Sequence, residues 1–121
     1  MTDKLDSIYK HQYDLQEKLG TLNKIKESPQ MRQQFINQMI LALHEESTEI
    51  MRETAYKNPD FMPFGWKKTQ VENPEKFKEE IIDIIHFIMN LAIVSGMKPD
   101  EIHERYLNKN KENYKRKQDG Y

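Results

Sequence analysis

Two pairs of carboxylates stand out by their spacing: Glu46 with Glu49, and Glu80 with Asp83, the members of each pair three residues apart. Side chains three or four positions apart share one face of a helix, so each pair would project from adjacent turns. Met39, Leu43 and Ile50 trace an apolar stripe at helical spacing, and Glu46 fills the gap in it, with Glu49 alongside. From Ile81 to Val94 every residue except Asp83, His86 and Asn90 is apolar, and those exceptions lie with Glu80 along one flank. An ionised carboxylate withdrawn from water costs on the order of several kcal/mol unless a cation or a hydrogen-bond network compensates it. If the two pairs face each other, four carboxylates converge, with no local excess of lysine or arginine on those stripes to neutralise them. Hard oxygen donors of this kind suit Mg2+, with Mn2+ as the alternative. The absence of cysteine and the scarcity of histidine argue against zinc, and the Glu-x-x-His pairs of a di-iron centre are missing. The competing reading is a solvated acidic face, common in a chain with 32% charged residues.

Other polar residues occupy apolar surroundings. Gln12 sits in the seam of Leu5, Ile8, Leu15, Leu19 and Leu22, where its amide needs a partner and either sets helix register or reads a ligand. His86 is expected to be a core histidine that orients a neighbour rather than a metal ligand. Near the C-terminus, Lys109, Asn113 and Arg116 align at spacings of four and seven among further lysines, a solvated basic tail or an anion clamp. Trp66, with Lys67 and Lys68 beside it, could wall a nucleotide pocket or anchor a core.

The elements that must carry these groups are helices. Apolar residues recur at three and four, with four glycines and five prolines as punctuation. Four main helices are expected: Asp3 to Leu19, stopped by Gly20; Ser28-Pro29 to about Tyr56; Asn73-Pro74 to near Gly96; and Pro99 to about Gln118. An aromatic connector, Lys57 to Asn73, joins the middle two. The 121 residues are read as one all-α domain, a helical bundle. The third helix, apolar on all sides, is expected to be buried nearly all round, more than one helical layer can cover, which calls for a second copy. With 19 basic and 20 acidic side chains, nothing points to polymeric nucleic acid or an anionic membrane. No stretch reads as a secretion signal or membrane span, so the expectation is a soluble, cytoplasmic protein, in keeping with the lack of cysteine.

Together these residues resemble the dimeric all-α dUTPases, within the wider all-α nucleoside triphosphate pyrophosphatases that include MazG-type enzymes. Glu46-Ser47-Thr48-Glu49 is similar to their Glu-x-x-Glu motif and Glu80-Ile81-Ile82-Asp83 to their Glu-x-x-Asp motif. Asp83 to Phe87, the Trp66-Lys67 pair, Gln12 and the closing run Lys109-Asn110, Asn113, Arg116, Gly120-Tyr121 narrow the likeness to dUTPases, although Lys117 stands where glutamine is usual. The resemblance implies a homodimer that hydrolyses dUTP to dUMP and pyrophosphate with water activated by Mg2+. It places Glu46, Glu49, Glu80 and Asp83 on the metal; Glu46, a ligand and the carboxylate set deepest in its helix's apolar face, is also read as the general base. Gln12 and Trp66 would help form the uracil and sugar pocket, Lys109, Asn113, Arg116 and Tyr121 would meet the phosphates, and Lys67, His86, Asn90 and Asn110 would be further substrate-binding residues. The alternatives are hydrolysis of dCTP or a broad set of triphosphates, and a helical dimer that acts only as an interaction module.

Overall fold

The computed structural model describes residues 3–54 and 72–120. Trp66, Lys67 and Tyr121, and the expected end of the second helix at Tyr56, lie outside the described residues. Among the described residues five helices follow one another: α1 (Lys4–Lys18), α2 (Thr21–Glu27), α3 (Pro29–Arg52), α4 (Pro74–Ser95) and α5 (Pro99–Gln118). No strand occurs among the described residues.

The start signals act as read. The Asp3 carboxylate accepts from the backbone N–H groups of Leu5 and Asp6 at 2.8 and 3.2 Å, Ser28 Oγ from Met31 at 3.1 Å, and Asn73 Oδ1 from Lys76 at 3.3 Å. Proline follows the cap at α3 and α4, where the missing N–H has no helical acceptor to lose. The unexpected element is α2. Gly20 adopts φ 76°, turns the chain, and lets Thr21–Glu27 wind again, so Leu22 is buried on this short helix rather than lying on the α1 stripe.

The orientation of α1 differs from the leucine-based expectation. Gln12 and Gln16 are the buried residues of α1, while Ile8, Leu15 and Leu19 remain 47%, 45% and 63% exposed. At about 100° per residue, the inward face formed by Leu5, Tyr9, Gln12 and Gln16 is turned roughly 70° from the Ile8, Leu15 and Leu19 flank. The amides face inward because α4 supplies their partners there, as described below.

The hairpin of α3 and α4 forms the centre, with α1 against α4 and α2 against α3. The backbone N–H of Asn73 donates to the Glu53 carbonyl at 3.0 Å, so the end of α3 and the start of α4 are pinned together. At the far end, Arg32 Nη2 donates to the Val94 carbonyl at 3.2 Å and satisfies one of the orphan acceptors that end α4. Met89, Ala92 and Val94 of α4 join Leu22 as the buried apolar residues among those described. The expectation that α4 is covered on all sides fails in the single chain: Ile81, Ile82 and Ile88 are 38%, 52% and 46% exposed, because α1 and α3 shield only two of its flanks. Among the described residues no single helix is long and apolar enough to cross a membrane.

Gly96 ends α4 at φ 81°, and α5 leaves at a bend of 107°. A Cβ at Gly96 would meet nothing within 4 Å, so replacement tests backbone strain alone. Gly96→Ala is expected to destabilise the chain by about 1 kcal/mol through the left-handed conformation, read as a lower urea midpoint at unchanged slope.

Candidate functional site

The pinned hairpin explains why the carboxylates meet. Glu46 lies seven residues before Glu53, and Glu80 seven residues after Asn73, so the two stand opposite each other across the antiparallel pair. One carboxylate oxygen from each of Glu46, Glu80 and Asp83 falls within 4.8 Å of the others. Glu46 and Glu80 are half-buried and Asp83 is exposed. Glu49, the fourth carboxylate of the set, lies outside that trio but close enough for its charge to act on Glu46.

Among the described residues no ion pair relieves this cluster. The ion pairs among the described residues join Lys78 to Glu75, Arg105 to Glu101, and Lys109 and Arg116 to Glu112, all away from it. Glu46 Oε2 and Glu80 Oε2 are buried without a hydrogen-bond donor. As two carboxylates they can only repel, whereas a proton held by Glu46 lets it donate to Glu80. That hydrogen bond is the largest of the causes that push the Glu46 carboxyl from 4.5 up to about 7, followed by burial and by the charges of Glu49, Glu80 and Asp83. Converging, under-satisfied hard oxygens fit a divalent cation such as Mg2+, which would replace the shared proton.

A pH dependence follows for the metal-free protein. Between pH 4.5 and about 7 the folded chain holds a proton on Glu46 that the unfolded chain has released. Stability therefore falls as pH rises through that window. Urea midpoints measured in chelator should decline from pH 5 to pH 8, and Glu46→Gln should flatten the decline.

One helical turn beyond Asp83 lies a second polar group. Gln12 Nε2 donates to Asn90 Oδ1 at 2.6 Å, Gln12 Oε1 pairs with His86 Nδ1 at 2.7 Å, and Asn90 Nδ2 donates to Met39 Sδ at 3.4 Å. Gln12 and Asn90 are each 4% exposed, so their amides are enclosed by the fold. His86 pairs with Gln12 but is exposed, not the core histidine expected. His86 and Gln12 border a cavity of about 330 Å³ between α1 and α4, walled by Ile8, Leu15, Ile82 and Met89. Such a space, apolar with a few polar atoms, has the character of a small-molecule pocket. The Ile8 and Leu15 flank that α1 leaves unburied thus lines a cavity.

Lys109, Asn110, Asn113 and Arg116 lie on α5, exposed. Lys109 Nζ and Arg116 Nη2 approach the Glu112 carboxylate at 3.4 and 3.8 Å. From the 107° bend and a rise of 1.5 Å per residue, Lys109 stands roughly 20 Å from Asp83. Within one chain the structure joins Glu46, Glu80 and Asp83, and separately Gln12, His86 and Asn90, but does not bring the α5 cations to either group. Sequence reasoning missed Met39 as a polar partner and His11 as a residue of the cavity wall. The available signal was the position of His11 beside Gln12; a methionine on an apolar stripe gives none.

The family model described as dUTPase matches residues 4–98. The match ends before α5, so the closing run on which the resemblance leaned most lies beyond it. The chain is 35% identical over 68 residues to the dCTP pyrophosphatase of Enterobacteria phage T4, an alignment covering 46% of this chain and 40% of that protein. To the dCTP pyrophosphatase of Enterobacteria phage LZ5 it is 45% identical over 58 residues, covering 46% of this chain and 34% of the relative. The chain therefore spans less than half the length of the curated relatives it matches. No solved structure matches it.

Proposed function

This chain belongs to the all-α dUTPase family, and from that premise we propose that it hydrolyses dUTP to dUMP and pyrophosphate with Mg2+. The observation that carries the reading is the convergence of Glu46, Glu80 and Asp83 with two buried carboxylate oxygens lacking a donor. Glu46, Glu80 and Asp83, joined by Glu49, would hold the ion. When bound, Mg2+ neutralises charge on the triphosphate and makes water more acidic.

The remaining work falls to side chains. Glu46 is the general base, taking the proton of the attacking water at Oε2, the oxygen without a donor. Glu49, Glu80 and Asp83 serve mainly as ligands. The base enters the cavity between α1 and α4, where His86 stands one turn from Asp83, so that base and phosphates span adjacent turns of α4. Attack falls between the α and β phosphates, and Lys109 and Arg116, with Asn110, Asn113 and Tyr121, stabilise the departing pyrophosphate. By the family resemblance, Trp66 and Lys67 would also meet the nucleotide.

Pairing of two copies supports the same chemistry. Ile81, Ile82 and Ile88 expose apolar surface beside the carboxylates, and α5 of one chain carries its cations away from its own cluster. A homodimer covers the first and lets α5 of one copy serve the site of the other.

A second reading keeps the reaction and changes the base to cytosine; it is favoured by the names of the two phage relatives. A panel of dUTP, dCTP, dTTP and dATP with Mg2+, assayed for pyrophosphate, separates them. dUTP is expected to exceed dTTP by at least about tenfold in kcat/KM. Equal rates for all four would remove base specificity, and no release from any would remove the enzyme.

A further inference from the structure

The enclosed amides of Gln12 and Asn90 form a hydrogen-bond chain with a fixed direction. At its inner end is Met39, whose thioether can only accept, so Asn90 turns Nδ2 toward Sδ at 3.4 Å. Asn90 Oδ1 then accepts from Gln12 Nε2 at 2.6 Å. Gln12 has only Oε1 left to offer His86, whose Nδ1 lies 2.7 Å away. A carbonyl oxygen cannot donate, so Nδ1 carries the hydrogen. Flipping either amide would set acceptor against acceptor, or donor against donor, at groups shut off from water. A polarity laid down at the Met39 sulfur is thus delivered to an exposed imidazole that lines the cavity, whose neutral form leaves Nε2 as a bare acceptor.

We propose that Met39, Asn90 and Gln12 act as a relay that holds His86 in its Nδ1–H tautomer. Nε2 then accepts a hydrogen bond from the N3–H of a uracil in the α1 and α4 cavity and repels the N3 lone pair of a cytosine. This rests on the deoxynucleoside triphosphate pyrophosphatase reading and assigns the atom that chooses the base. Uracil and cytosine differ at N3 as donor and acceptor, so one fixed acceptor there separates substrates of almost the same shape. Met39 and Asn90 are positioning residues, while His86 meets the base.

The test combines 15N NMR of the histidine rings in the full chain with kinetics on dUTP and dCTP. The wild-type spectrum should show His86 as Nδ1–H. Met39→Leu keeps volume and removes the acceptor, and should raise the Nε2–H population. His86→Asn retains a donor where Nδ1 stands and loses Nε2. It should raise KM for dUTP about tenfold with a much smaller change in kcat, and leave KM for dCTP unchanged or lower. His86→Gln, which abandons Gln12 while keeping a polar group near the Nε2 position, should weaken both nucleotides.

An Nε2–H wild type, or a tautomer indifferent to Met39→Leu, overturns the relay. Equal KM changes for the two nucleotides in His86→Asn overturn the role of His86 in reading the base. A wild-type chain that cleaves neither nucleotide sinks the enzymatic reading instead, and the NMR result distinguishes that failure from failure of the relay.

Discussion

Glu46→Gln is expected to lower pyrophosphate release from dUTP by about a thousandfold or more while leaving the protein folded. The loss combines the removal of a general base, worth roughly 10² to 10⁴ in rate, with the loss of an anionic metal ligand. The fold survives for an electrostatic reason. Glutamine has nearly the shape of glutamate, removes one negative charge from a cluster without an ion pair among the described residues, and offers Glu80 Oε2 the donor it lacks. Thermal unfolding of the metal-free variant should therefore begin no lower than in the wild type, and at pH 8 should begin higher. A variant that loses activity because it unfolds, or one that keeps wild-type turnover, contradicts the assignment of Glu46.

Withdrawal of the ion is the second large effect. Chelation should abolish turnover, and excess Mg2+ should restore it. The structure adds a readout independent of catalysis, because a ligand that binds only the folded chain stabilises it by mass action. At a hundred times its dissociation constant the gain is about 2.7 kcal/mol, or roughly 10 °C in unfolding midpoint for a chain of this size. Glu80→Gln and Asp83→Asn should each reduce that gain, since both carboxylates contribute to the cluster. Calorimetric titration with Mg2+ and a non-hydrolysable dUTP analogue checks the same point. If no binding appears and the midpoint does not move, the acidic pairs are structural and the chain is an interaction module.

The acidic pairs were legible because their evidence is periodic. A carboxylate three residues from another, set in an apolar stripe, declares its face before any partner is known, and the caps at Ser28-Pro29 and Asn73-Pro74 place both helices. What spacing could not supply was rotation and pairing. Leucines predict which way α1 faces only if burial follows hydrophobicity. Here Gln12 and Gln16 face inward, with hydrogen bonds from the Gln12 amide to His86 and Asn90 of α4, and the leucine flank is turned aside. The two partners stand 74 and 78 positions away in the chain, a distance across which local pattern carries no information. The short α2 was missed because Gly20 reads equally well as a stop and as a turn between two helices. The basic row on α5 was visible as a charge pattern, yet its relation to the carboxylates depends on the 107° bend after α4, which no single residue announces.

That the buried apolar residues among those described are Leu22, Met89, Ala92 and Val94 has a thermodynamic consequence. The exposed aliphatic side chains of α4, Ile81, Ile82 and Ile88, leave hydrophobic free energy in a solitary copy that a second copy could release. Under the proposed pairing, folding and assembly draw on the same unsatisfied hydrophobic free energy and become one equilibrium, in which dilution acts as a denaturant.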